Sequence, residues 1–263
     1  MPTTAVISDI HGNAEALRTV LGDIDARGVS RIICLGDIIG YGPEPLECVD
    51  LVAAKCEWSL MGNHDFGVLY EPTNFNPAAA SAAYWTRERF DQEPDEGARA
   101  RRWEFLGRLR VRVVHSPDNG GMPVLAVHGS PRRPINEYIF PDDATANLDK
   151  MKQVFDRVER VAVVGHTHVP GVFTDEPDFY APEELTDSTY VVNTHEKAIV
   201  NVGSVGQPRD HDPRASYVLM HADGGALKFE FVRVEYDVAK TAEKIKSTPE
   251  LSDWLGDRLY EGR

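Results

Sequence analysis

The chain has 263 residues, with 28 Lys+Arg against 42 Asp+Glu for a formal charge of -14, and 42% of its residues are hydrophobic. That composition belongs to a globular chain with a sizeable core and excludes disorder as its main state. No run of about 18 apolar residues occurs, which excludes a membrane-spanning helix, and so acidic a balance argues against duplex nucleic acid as partner.

Residues 4–8 read as a strand entered at once, with no basic region or cleavable apolar stretch ahead of it, so no secretory leader is expected. Asn13 is placed to cap a helix in which Leu17, Val20, Leu21 and Ile24 repeat at helical spacing, with Gly28 beyond its end. Residues 31–35 form the next strand, 45–54 a helix with Pro45 in its first turn, and 56–60 a third strand. This alternation indicates an α/β fold. Residues 66 to about 122 change character: Asn76-Pro77 opens an Ala-rich helix reaching Phe90, and a second helical run covers 98–109. The segment is expected to be a helical cap or side wall inserted between core strands of a single domain spanning 1–263. Strands are expected at 111–115, 124–127 and 160–164, with a helix at 144–158. The last third is mostly β, at 190–193, 198–202, 216–220 and 227–235. Ala222-Asp223-Gly224-Gly225 gives the hairpin signal, and a helical segment covers about 237–263. Cys34, Cys48 and Cys56 are an odd number without C-x-x-C spacing, which points to reduced thiols and a cytoplasmic protein.

Nearly every core strand ends in His, Asp or Asn beside Gly: Asp9-Ile10-His11-Gly12, Gly36-Asp37, Gly62-Asn63-His64-Asp65, His128-Gly129 and Gly165-His166-Thr167-His168. Taken singly, Asp9 could cap a helix, Gly36-Asp37 could be a turn and His128 a half-buried core histidine. Open α/β sheets place ligand sites beyond the carboxyl ends of their strands, so the five loops are expected to converge. Imidazole and carboxylate without thiolate suit Mn, Fe, Zn, Co or Ni better than Mg or Ca. Asp9, His11, Asp37, Asn63, His128, His166 and His168 are too many ligands for one ion, and a bridging carboxylate permits two. Two divalent ions with a shared hydroxide leave the pocket with net positive charge, which attracts phosphate even to an acidic chain. His64, beside Asn63, is the natural proton donor, and Asp65 is placed to orient it.

These motifs resemble, in order and without omission, those of the calcineurin-like metallophosphoesterases. The resemblance spans about residues 4–206 and implies a four-layer fold, two mixed β-sheets sandwiched between helices. It implies one metal on Asp9, His11, Asp37 and His168, and a second on Asp37, Asn63, His128 and His166. Asp37 then bridges and His64 is the catalytic acid. The run Asn201-Val202-Gly203-Ser204-Val205-Gly206-Gln207-Pro208-Arg209 is similar to an N-x-G-S-x-G-x-P-R loop of the small bacterial phosphoesterases. His128-Gly129-Ser130-Pro131-Arg132 with Glu137-Tyr138 resembles relatives that hydrolyse dinucleoside polyphosphates.

Arg132, Arg133, Arg209 and Arg214 stand near these loops as candidate phosphate ligands, unless they merely counter neighbouring acids. Phe66, Tyr70, Phe75, Tyr84 and Trp85 are candidates for stacking a base, with Tyr84 and Trp85 read rather as core, and Asn74 and Asn76 could face the metals. The expected function is hydrolysis of phosphate mono- or diesters of small nucleotide-type substrates. A protein Ser/Thr phosphatase is the enzymatic alternative and a non-catalytic metal-binding module the other. The acidic balance leaves a homo-oligomer open without supporting it.

Overall fold

Alternation along β1 (Thr3–Ile7) sets the layering. Ala5 and Ile7 enter one apolar cluster with Leu17, Val20 and Ile24 of α1 (Ala14–Ala26), while Val6 enters another. In the computed structural model, which describes residues 3–117, 122–193, 195–223 and 226–263, that second cluster lies between two six-stranded mixed sheets. The first sheet includes β2 (Arg31–Cys34) and β3 (Trp58–Ser59), both running parallel to β1. The second is built around β5 (Val124–Val127), β6 (Val161–Val164) and β10 (Ala198–Asn201), again parallel. Val124 and Ala126 face the inter-sheet core, and Leu125 and Val127 face Met151, Val154 and Phe155 on the helical side. Strands buried on both faces need continuous apolar runs, and the sequence supplies them. The result is the expected four-layer α/β architecture. The carboxyl ends of both parallel sets meet at one edge, where Val205 N–H donates to Ser8 O (3.0 Å) and Gly165 N–H to His128 O (2.9 Å).

Several elements differ from expectation. The strand at 56–60 contracts to the two residues of β3, since Met61 onward turns into α3 (Asn63–Leu69), where a loop was expected. The helix at 144–158 divides into α6 (Asp143–Ala146) and α7 (Leu148–Phe155), interrupted at Asn147, whose φ of -130° is not helical. Two short strands, β7 (Gly171–Thr174) and β8 (Asp178–Tyr180), extend the second sheet beyond the expected set. β11 (Ala215–Asp223) and β12 (Ala226–Val234) pair antiparallel as the hairpin signal requires, although Gly224 and Gly225 themselves lie outside the described residues.

Within 66–122, α4 (Pro77–Asp91) and α5 (Glu96–Gly107) sink Phe90 and Leu106 into the cluster of α1 and α2 (Pro45–Lys55). They therefore form a side wall on the first helical layer; residues 118–121 of the expected insertion lie outside the described residues. Arg87 of α4 donates to the Val68 (2.7 Å) and Gly67 (3.2 Å) carbonyls, satisfying the open end of α3. At the C-terminal end, α8 (Val238–Lys246), α9 (Asp253–Asp257) and the 3-10 turn that follows pack Ile245, Leu255 and Leu259 against Tyr41, Ala79 and Ala82. Cys34, Cys48 and Cys56 are unpaired, and burial pushes each thiol up. Among the described residues no helix is long and apolar enough to cross a membrane.

Candidate metal centre

The loops after β1 and β2 are joined backbone to backbone. Asp9 N–H donates to Gly36 O (3.0 Å), Ile10 and His11 N–H to Asp37 O (2.8 and 2.9 Å), and Gly12 N–H to Ile38 O (3.0 Å). Along this seam Asp9, His11 and Asp37 have φ of 54°, 51° and 50°, and His166 and His168 have 69° and 62°. Non-glycine residues are rare in this left-handed region and cost of order 1–3 kcal/mol each, so five together mark a site held by its surroundings. The close approach also dictates the glycines. A Cβ on Gly62 would lie 2.0 Å from Asp37 Oδ1, and one on Gly206 1.8 Å from Ile10 O.

The convergence brings six of the seven expected ligands into one buried cluster, with Asn63 at its edge. Asp9 Oδ1 lies 3.1 Å from His168 Nε2, and Asp37 Oδ2 lies 3.3 Å from His128 Nε2 and 3.6 Å from His11 Nε2. Asn63 Oδ1 is 3.3 Å from His128 Nε2. Three-residue groups able to hold an ion are Asp9/His11/His168, Asp37/His128/His166 and His11/Asp37/His64. The outer contacts aim the rings. His128 Nδ1 donates to Leu35 O (3.1 Å) and His168 Nδ1 to Gln207 O (2.5 Å), leaving each Nε2 as a lone pair. His11 Nε2 and His168 Nε2 then face each other at 3.1 Å, while Asp9 Oδ1 and His166 Nε2 are buried without a hydrogen-bond partner. A cation is the group that satisfies such a donor set, and the residues fit divalent metal.

Electrostatics agree. Burial pushes His166 down to about 3, His64 to about 4, and His11 and His168 down, so these rings are neutral lone-pair donors near pH 7. His128 is the exception. Burial opposes its charge, but Asp37 and Asp9 outweigh that and raise it to about 9. The same carboxylates that favour a proton there favour a metal ion.

Asp65 does not orient His64. Its Oδ2 accepts from Asp37 N–H (2.8 Å) and Gly62 N–H (3.0 Å), and its Oδ1 from Ile38 N–H (3.0 Å) and Ile39 N–H (3.3 Å). The carboxylate is the internal bracket of the β2 loop. Burial and Asp37 push its pKa up, and the amide donors pull the other way. Asp65→Ala would orphan four amide donors and is expected to cost about 3 kcal/mol or more in urea unfolding; a loss below about 1 kcal/mol would refute the bracket.

Three substrate-side expectations also change. Arg132 is held by Glu137, with Nη2 to Oε1 at 2.6 Å, and by Gln153, and does not line the cleft beside the cluster. Asn76 accepts Ala79 N–H (2.9 Å) as the cap of α4 and does not line the cleft beside the cluster. Arg214 is paired with Asp212 (2.6 Å). Arg209 does reach the centre: its N–H donates to His168 O (3.2 Å), and its guanidinium lies 5.9 Å from the Tyr41 ring. Beside the cluster opens a cleft of ≈ 440 Å³ lined by Asn63, His166, Phe66, Phe75, Asn74, Arg133, Asn136 and Tyr138. Tyr84 stands outside it, bonded to Glu71 (3.2 Å), and Trp85 packs on the C-terminal cluster.

Two ring contacts had not been expected, one from Tyr138 of the Glu137-Tyr138 pair and one from Tyr41. Tyr138 stacks on His166 with centroids 3.7 Å apart and planes at 18°. Tyr41, directly after Gly40, lies 4.7 Å from the His11 ring and 4.3 Å from that of His64. The loop 201–209 acts as scaffold: Ser204 Oγ donates to Asp9 O (2.7 Å) and Asn201 Nδ2 to Gly165 O (2.8 Å), tying the first and last ligand loops together.

A two-sheet sandwich whose parallel strands end in one Asp/His cluster defines a metallophosphoesterase. Residues 3–225 match the calcineurin-like phosphoesterase superfamily domain, and the chain belongs to that family and is a hydrolase. It is 40% identical to an uncharacterized protein of Methanocaldococcus jannaschii over 262 residues, 98% of each chain. It is 35% identical to a metallophosphoesterase from Sphaerobacter thermophilus, with a TM-score of 0.77 over 99% of both chains. A hypothetical protein from Pyrococcus horikoshii shares the fold at 22% identity and a TM-score of 0.72, over 100% of this chain and 99% of that one.

Proposed function

We propose that the chain is a dinuclear metal-dependent phosphoesterase acting on small nucleotide-type substrates, with dinucleoside polyphosphates the best match. Asp9, His11, Asp37 and His168 would hold one ion, and Asp37, Asn63, His128 and His166 the other. The observation that carries this reading is the position of Asp37 Oδ2, within 3.6 Å of His11 Nε2 on one side and 3.3 Å of His128 Nε2 on the other. Divalent ions, when bound, neutralise phosphoryl oxygens and lower the pKa of attacking water. His64, facing the cluster, supplies the proton to the departing oxygen. Phe66, Phe75 and Tyr138 give the neighbouring cleft faces on which a base can stack, and Arg133 gives it a cation for phosphate. A cytoplasmic location fits the three unpaired thiols.

The test uses metal-stripped protein with Mn, Fe, Zn, Co or Ni restored singly, against diadenosine tetraphosphate, cyclic nucleotides, bis-aryl phosphate and a phosphopeptide. Hydrolysis of the nucleotides with two ions per chain is expected. Turnover of the phosphopeptide alone would instead indicate a protein phosphatase, and one ion per chain would remove the dinuclear assignment.

A further inference from the structure

An imidazole ligand has to be aimed, and the histidines of this centre are not all aimed in the same way. His128 and His168 give Nδ1–H to the carbonyls of Leu35 and Gln207 (3.1 and 2.5 Å). Such outer hydrogen bonds fix both the tautomer and the orientation of a ligand ring. His166 has none. Its backbone N–H is held by Asp9 Oδ2 (3.0 Å), but among the described residues neither of its ring nitrogens has a hydrogen-bond partner. What touches its plane is Tyr138, with centroids 3.7 Å apart and planes at 18°. That contact is closer and flatter than any other ring contact of His11, His128, His166 or His168.

Tyr138 is itself braced on both sides along the chain. Before it, Glu137 accepts from Ser130 Oγ (2.5 Å) and from Arg132 Nε (2.8 Å), and Gly129 N–H donates to Pro134 O (2.6 Å). The turn at 129–137 is thereby folded back onto the loop that carries His128. After it, Ile139 is buried in the cluster of Met151, Val154 and Phe155. A strap anchored on one ligand loop therefore lays its tyrosine on the ring of another. Both ligands, His128 and His166, belong to the Asp37/His128/His166 group and not to the Asp9/His11/His168 group. That half of the centre is also the one beside the cleft, which His166 and Tyr138 both line.

We propose that Tyr138 is the positioning residue of the Asp37/His128/His166 half. Its ring takes the place of the outer hydrogen bond that His166 lacks, keeps the buried Nε2 available to a cation, and so sets the affinity of that half alone. The stacked ring does this and the hydroxyl does not, since the Tyr138 hydroxyl makes no hydrogen bond among the described residues. The inference rests on the dinuclear reading proposed above and adds that the two ion positions are unequal.

The test titrates metal-stripped protein with Mn²⁺ by calorimetry, and with Co²⁺ followed by its visible absorption, in Tyr138→Leu and Tyr138→Phe. Tyr260→Leu removes an exposed ring elsewhere (52% exposed) and serves as control. Wild-type protein is expected to take two ions. Tyr138→Leu should weaken one of them about tenfold or more, leave the other unchanged, and alter the Co²⁺ spectrum of the weakened one. Tyr138→Phe and Tyr260→Leu should both match the wild type. No loss in Tyr138→Leu, equal losses at both ions, or the same loss in Tyr138→Phe would each overturn the proposal. Wild-type protein that takes a single ion would instead defeat the dinuclear reading. Tyr138 then keeps its role if the leucine variant and not the phenylalanine variant weakens that ion, and loses it otherwise. Tyr138 is 38% exposed, so the variants should fold, as circular dichroism melts will read; Tyr138→Gln replaces the leucine variant if that one does not.

Discussion

Asp37→Asn is expected to lower kcat/KM by about 10³-fold or more and to take metal out of both halves of the centre. The argument is positional. Asp37 Oδ1 accepts the His64 backbone N–H at 2.8 Å, so only Oδ2 is free to ligate, and it faces His11 and His128 together. Asparagine keeps the shape and the hydrogen bond to His64 while removing the charge that, on the proposed dinuclear reading, offsets two cations. Folding should survive, as read by circular dichroism, while elemental analysis finds fewer than two ions per chain. A variant that keeps both ions and most of its turnover would show that Asp37 does not bridge. His128 should report the same change, because its raised pKa depends on this carboxylate.

His64→Asn is expected to reduce kcat by ~10²–10⁴-fold on substrates with poor leaving groups, with metal content unchanged. The ring lies 4.5 Å from Phe75 and 4.8 Å from His11, and its Nδ1 has no hydrogen-bond partner. Burial holds it down at about 4, with Asp37 opposing and Arg209 reinforcing, so the free ring is neutral at pH 7. A phosphoester arriving with its negative charge favours the protonated ring, which is then an acid at the place where one is needed. An aryl leaving group departs without a proton, so the loss should shrink on bis-aryl phosphate. Metal lost in parallel with activity on every substrate would make His64 a ligand beside His11 and Asp37 instead.

The convergence of the five loops was legible because strand ends and chemistry-bearing residue types are both local signals. Direction was not. Asp65 and His64 are adjacent in sequence, yet the carboxylate of Asp65 turns back onto the amides of Gly62 and residues 37–39. Arg132 and Arg133 are equivalent by position; Glu137 claims the first, and the second lines the cleft. Asn76 precedes Pro77 as a helix cap should, and that local role turns its oxygen onto the Ala79 amide. The strands β7 and β8 have four and three residues, too few for a period of two to declare itself.

The left-handed backbone at His11 and His168 has an evolutionary corollary. Each conformation is one that glycine adopts freely, so the backbone there is held left-handed at a cost that a histidine bears and a glycine would not. Replacing either histidine by glycine would relax the chain locally while abolishing chemistry, so robustness and turnover pull in opposite directions here. Descendants released from selection for hydrolysis would drift downhill toward sturdier, inert scaffolds, and those two positions are where the erosion should begin.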